Sequence, residues 1–263
     1  ALDPVVIAFR DRQLERRYPF VMADALYTKV RENGRIRSKG FMIAVGINEQ
    51  GFREILGFSC ADSETEAGWT AFFRELKGRG LAQVDMVISD SHKGLVQAVK
   101  QCFQGATWQR CQTHFSRNML DVCPKKLHPE MKAALKSLYE AGDYETAILL
   151  RDSMLSRFQQ EAPKAAALLE ESFEDVMAVL SLPYTLRRRL RTTNGIERLN
   201  EEIRRRERVI RIFPNEESLS RLIGALLMEI NDGWQSGKVY LDLTAYLAQQ
   251  LQADKPASKK SVA

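Results

Sequence analysis

Three acids in this 263-residue chain stand where a carboxylate needs a reason. Asp24 interrupts the apolar run FVMADALYTKV, Phe20–Val30, where burial is costly unless the charge is paired or bound to a metal. Asp90 follows the short apolar segment Val84–Ile88. Glu197 lies in RTTNGIERLNEEIRRRERVIR, Arg191–Arg211. Read as a helix, Ile196, Leu199 and Ile203 recur at i, i+3, i+7 and form a buried stripe, while Glu197, Asn200, Glu201, Arg204 and Arg208 share a polar face beside it. Carboxylates converging from separate elements can hold two divalent cations roughly 3.5–4 Å apart and so cut or join phosphodiesters. Plainer readings stand beside this one. Asn194-Gly-Ile-Glu197 has capping-box spacing, Asp90-Ser91 can cap the next helix, and Asp24 can pair with Lys29 or an arginine.

A second group is Cys111-Gln-Thr-His114, whose thiol and imidazole can meet on one helical turn. With Cys123 and His128 the pattern becomes C-x2-H-x8-C-x4-H, which a zinc reading can claim, although Pro124 and Pro129 interrupt it. Two other readings are open: a packed Cys111 with an ordinary His114, or a His114 that contacts phosphate or handles a proton near the acids. Trp108 is either a core aromatic or a platform for an unpaired base. Lys93 can approach phosphate or face solvent.

These residues need a scaffold. Phe20–Val30, Phe41–Ile47 and Phe52–Ser59 read as strands joined by turns at Asn33-Gly34 and Asn48–Gly51, an antiparallel meander. Helices follow at Ser63–Lys77 and Ser91–Cys102, alternating with short strands at Val84–Ile88 and Ala106–Gln109. The order β-β-β-α-β-α-β predicts an α/β, RNase-H-like mixed sheet, which would bring acids of the first and fourth strands together. From Gln112 onward the periodicity is helical. Four units are expected: 1–124, the first part of the core; 125–190, an all-helical insertion; 191–234, the returning core helices; and 235–263, a C-terminal helix with a disordered tail over Asp254–Ala263.

The totals narrow the function classes. A hydrophobic fraction of 44% supplies ample core. The net charge of +5 is modest but uneven, with ten arginines and four acids between Arg187 and Arg211. Such a stripe points to a nucleic acid, with Arg198, Arg204, Arg205, Arg206 and Arg208 as phosphate-binding candidates. Four cysteines without regular spacing, no signal peptide and no membrane-length apolar run lead to the expectation of a soluble cytoplasmic protein. The chain opens without Met and in helical character, as a piece of a longer protein would.

MADALYTKVR, VISDSHKGL, WQRCQTHFSRN, TTNGIERLNEEIRRR and IFPNEESLSRL, in that order, resemble the Mutator-type bacterial insertion-sequence transposases. The resemblance runs from near the N-terminus to about Trp234. It implies a DDE transposase catalytic domain of the retroviral-integrase superfamily, with a helical insertion between the second Asp and the Glu. Asp24, Asp90 and Glu197 would be its metal-binding catalytic triad, served by two Mg²⁺ ions with Mn²⁺ as substitute. Cys111 and His114 would be the family's C-x2-H signature, counted with the catalytic set. The implied partners are double-stranded DNA, as transposon ends and target, and a second copy of the chain, working at the bacterial nucleoid. The N-terminal DNA-binding region of full-length family members has no counterpart here. Two rivals are a non-catalytic DNA-binding protein derived from a transposase and an RNase-H-like nuclease that cuts without joining.

Overall fold

A computed structural model describes residues 2–253; the tail expected over Asp254–Ala263 lies outside them. A helix, α1 (Asp3–Asp11), precedes the meander β1 (Phe20–Glu32), β2 (Arg35–Ile47) and β3 (Arg53–Ala61). Next come α2 (Glu66–Gly78), β4 (Met86–Ser89), α3 (Lys93–Cys102) and β5 (Thr107–Arg110). The strands form one sheet in the order β3-β2-β1-β4-β5. β1–β2 and β2–β3 are antiparallel, whereas β4 runs parallel to both β1 and β5. That order and those directions define the RNase-H-like fold expected from the sequence.

The β1–β2 hairpin is longer than its hydrophobicity implies, because β2 begins at Arg35 rather than near Phe41. Asn33 and Gly34 both adopt positive φ, 49° and 75°, which makes the tight turn and fixes the pairing from Glu32↔Arg35 onward. Register therefore carries the exposed, mostly polar residues Arg35–Ser38 into the strand.

Strand alternation sorts side chains onto two layers. Phe20, Met22, Leu26 and Val30 of β1 pack with Ile88 of β4 on one face. The interleaved Val21 and Ala23 join Val87 on the other, under Trp69, Phe72 and Phe73 of α2 and Leu95, Ala98 and Val99 of α3. The first face is covered by α8 (Tyr184–Leu190), α9 (Asn194–Ile210) and α10 (Glu216–Gln235), through residues such as Leu190, Ile196, Leu199, Ile203 and Leu227.

Between these parts lie α4 (Gln112–Val122), α5 (His128–Tyr139), α6 (Tyr144–Phe158) and α7 (Pro163–Met177). They bury a core of their own in which Phe115 and Met119 of α4, and Cys123 just past its end, meet Leu135, Phe158 and Phe173. Buried Gln109 ties this layer to the sheet: its amide donates to Val176 O and its carbonyl accepts from Val179 N. A final helix, α11, spans Thr244–Ala253. Among the described residues no helix is long and apolar enough to cross a membrane.

Candidate active site and nucleic-acid cleft

β4 is four residues long and pairs with β1 only over Phe20–Met22. Beyond Met22↔Ile88 the two strands part, and two residues further along each stand Asp24 and Asp90. Both acids thus occupy the carboxyl-terminal crevice of a parallel pair, where open α/β sheets generally bind ligands. Parity puts Asp24 on the face of Met22 and Leu26, the face that α9 covers.

α9 is pinned there by a polar bond as well as by its apolar stripe. Asn200 Nδ2 donates to Asp24 Oδ2 at 2.8 Å, and Ala25 N–H donates to Asp24 Oδ1 at 2.9 Å. Glu197 is one turn before Asn200 on the same side of the helix, so the bond that anchors Asn200 sets that side of α9 beside Asp24. Asp90 Oδ1 accepts from His92 N–H at 3.0 Å, an Asx turn leading into α3. The N-cap of α3 is His92 with no side-chain capping bond, so Asp90 shapes the turn before the helix rather than capping it.

The electrostatics are those of acids lacking a counter-ion. Burial, and then the charge of Asp90, push the Asp24 carboxyl up to about 7; the Ala25 amide and His114 oppose this and Glu64 adds to it. Glu64 is a fourth carboxylate beside the site, itself raised mainly by burial, with Asp90 adding to the effect. It arrives because Gly94 lets α3 touch the loop before α2: a Cβ at Gly94 would lie 2.7 Å from Glu66 N. Its sequence position, before an N-cap, gave no sign of this.

Cys111 and His114 flank Glu197 from the α4 side. His114 Nε2 is 3.5 Å from Glu197 Oε1. Cys111 is fully buried, and its Sγ accepts from Thr193 N–H at 3.3 Å and from Thr193 Oγ1 at 3.2 Å. Burial pushes the thiol up, but the neighbouring His114 and the Thr193 donors outweigh it and hold Cys111 below its usual value. His114 is raised, first by Cys111 and, against burial, by Glu197 and Asp24 as well. Its Nδ1 is buried without a hydrogen-bond partner. The N-cap of α9 is Thr193, not Asn194 as capping-box spacing implies, and no side chain caps it. Asn194 instead accepts from Thr113 Oγ1 across the gap to α4. The four-ligand zinc pattern does not assemble either: His128 Nε2 bonds Cys123 O within the helical layer, and the cluster at Cys111 recruits Glu197 in place of Cys123 and His128.

The arginine run divides by helical period. Arg204 and Arg208, four residues apart, line a cleft of about 680 Å³ with Lys29, Arg211 and the single acid Glu207. The free edge of β1 builds the cleft's end: Phe213 N–H donates to Lys29 O and Arg31 N–H to Phe213 O, while Arg211 takes a left-handed φ of 62° to make the turn. Thr28, which also lines the cleft, is buried with its Oγ1 unpartnered. Arg205 and Arg206 are not part of this cleft; both pair with Glu202, at 2.6 and 3.4 Å. Arg198 is exposed and adds its charge beside Arg53. Lys93 is exposed at the first turn of α3. Trp108 is not brought to the acids: it packs on the α2–α3 side, and its Nε1 donates to Ser89 Oγ at 2.9 Å.

An RNase-H-like domain is the class that the strand order and directions define. Residues 1–237 match the family model described as "Transposase, Mutator family", and the chain belongs to that family. It is 44% identical over 249 residues to the transposase for insertion sequence element IS256 in transposon Tn4001 from Staphylococcus aureus, covering 92% of this chain and 63% of that protein. It is 40% identical over 264 residues to the transposase for IS1081 from Mycobacterium tuberculosis, covering 99% and 64%. The chain thus spans somewhat under two thirds of these relatives. The HTLV-2 integrase catalytic core domain, solved in complex with magnesium, aligns at TM-score 0.27 and 14% identity over 51% of this chain and 92% of that one. The strand order, rather than that superposition, defines the fold.

Proposed function

We propose that this chain is the catalytic core of a DNA transposase, with Asp24, Asp90 and Glu197 as its metal-binding triad. It would hydrolyse a phosphodiester at an element end and direct the freed 3′-hydroxyl at target DNA. The observation that supports the reading is that Asp24 and Asp90 follow neighbouring parallel strands, close enough for the charge of Asp90 to raise Asp24, while Asn200, one turn along α9 from Glu197, donates to Asp24. The donors are hard carboxylate oxygens, and burial together with the charge of Asp90 raises Asp24 to about 7. That set fits Mg²⁺, or Mn²⁺ as a substitute, rather than a softer metal.

Asp24, Asp90 and Glu197 would hold the pair of ions, which supply charge neutralisation at the phosphate and lower the pKa of the attacking hydroxyl. The chain's own residues do the rest. Asn200 holds Asp24 through its amide, and His114 holds Glu197 from α4. Lys29, Arg204, Arg208 and Arg211 grip backbone phosphate, giving salt-dependent affinity with little sequence preference. α4 to α7, placed between Asp90 and Glu197 in the sequence, act as the inserted helical unit. Two copies would work together at the nucleoid, because two element ends must be held for one event.

A strand-transfer assay on end-containing duplex DNA with Mg²⁺ tests this reading. Cleavage with joining is expected. Cleavage alone would make the chain a nuclease, and tight DNA binding with neither reaction would make it a non-catalytic binder.

A further inference from the structure

Cys111, His114 and Glu197 each offer one donor atom, and the three atoms lie within 4.8 Å of one another. Among the described residues no other group of three such side chains meets this condition. A thiol, an imidazole and a carboxylate together form a poor site for Mg²⁺ and a good one for a thiophilic cation of tetrahedral preference, which would leave one position for water. We propose that these three residues bind Zn²⁺, or Cd²⁺ as its analogue, and that filling the site withdraws Glu197 from the acid cluster and switches the chemistry off.

The local structure favours a ligand rather than a packed thiol. Cys111 is the N-cap residue of α4 without a side-chain capping bond, so its sulfur is not spent on the helix end. Instead it receives two donors from Thr193, which stabilise the thiolate that a metal requires. His114 Nδ1 is buried and unpartnered. Its side chain and that of Glu197 retain 25% and 24% exposure, which gives an ion a path in from the crevice. The three ligands come from both sides of the α4–α9 seam, so a bound ion would clamp that seam. It would also hold the Glu197 carboxylate on Cys111 and His114, the side chains it already faces across the seam. Competition between cations is then built into the shared residue: a hard cation takes Glu197 with the two aspartates, a soft one takes it with Cys111 and His114. The binding claim stands on the cluster alone; the inhibitory claim rests on the role proposed for Glu197.

Cd²⁺ titration of the full chain, followed by the ultraviolet cadmium–thiolate charge-transfer band in excess Mg²⁺, tests the binding. Saturation at one equivalent is expected, with the band lost in C111S and affinity lowered about tenfold or more in H114A. Thermal melts establish that both variants are folded, and H114A, which removes no core sulfur, decides the matter if C111S is not. A band that persists in folded C111S, or an affinity unchanged in H114A, would overturn the site. Strand transfer is then measured with one equivalent of Zn²⁺ over a background of Mg²⁺. Inhibition of the wild type whose dependence on Zn²⁺ follows the binding curve, and which added Mg²⁺ reverses, supports the switch. Metal binding without inhibition overturns the switch and leaves the site. Absence of strand transfer before any Zn²⁺ is added counts against the transposase reading and not against the site.

Discussion

Two clusters in this molecule each gather three carboxylates, and they are built in opposite ways. At the far end of the β1–β2 hairpin, Glu32, Asp62 and Glu216 surround Lys39 at 3.1, 2.5 and 3.6 Å. The lysine side chain is only 6% exposed, and the hydrogen bond to Asp62 leads the effects that hold its ammonium above the ordinary range. There the protein supplies its own cation. At Asp24, Asp90 and Glu197 it supplies an amide, two backbone N–H groups, an imidazole and the Thr193 hydroxyl, and among the described residues no lysine or arginine forms an ion pair with any of the three. Burial and like charge push Asp24 up instead. Acids that bring a counter-ion hold the fold together; acids left without one are poised to take a cation from solution.

The sharpest way to break that contrast is substitution within the second cluster. E197Q keeps the shape of the side chain and removes its charge, so strand transfer should fall by roughly 10³-fold or more while DNA affinity holds or rises. Retained joining would remove Glu197 from the triad. In the first cluster the reverse holds. K39M should cost about 1–2 kcal/mol in denaturant unfolding, a discounted figure because Glu32, Asp62 and Glu216 are partly solvated. Activity per folded molecule should be unchanged, and a selective loss of turnover would blur the distinction between the two sites.

The basic cleft provides a third test. R204A with R208A should weaken duplex binding and lower the slope of log affinity against log salt by about 2, whereas R205A with R206A, already paired to Glu202, should move it little. Equal effects from the two pairs would mean that the cleft is not the DNA track.

The smallest expected effect is a pH slope. Asp24 is raised when folded, so the metal-free native state binds more protons than the unfolded chain between about pH 4 and about pH 7. Its contribution to stability is therefore fully present below the ordinary aspartate range and is lost as pH rises through about 7. Unfolding of the chain in a chelator should show stability declining over that window. D24N should flatten the decline, and a slope unchanged in D24N would assign it to another group.

Much of the crevice was legible from residue patterning. Asp24 announced itself as a lone acid on an apolar strand face, and alternation alone gave it the side shared with Met22 and Leu26. Glu197 and Asn200 fell on one face of a helix whose apolar stripe was plain. What patterning could not supply was partners from distant segments. Asn194 had the spacing of a cap, yet its carbonyl turns to Thr113, and the N-cap is Thr193 because that residue is drawn to Cys111. The four consecutive-looking phosphate candidates at Arg204, Arg205, Arg206 and Arg208 separate into a cleft pair and an ion-paired pair once Glu202 is set beside them. Lys29 and Arg211 join the cleft only because Phe213 bridges to the free edge of β1, a contact between segments more than 180 residues apart. Glu64 is carried in by the close approach at Gly94, which no local pattern encodes.

The most direct test of the central claim is a crystal of this chain soaked in Mn²⁺, with anomalous density collected for wild type and D24N. The expected result is manganese between Asp24, Asp90 and Glu197 in the wild type, with none at Lys39, and its loss or marked depletion in D24N. Manganese absent from the three acids while bound elsewhere on the same molecule would contradict it.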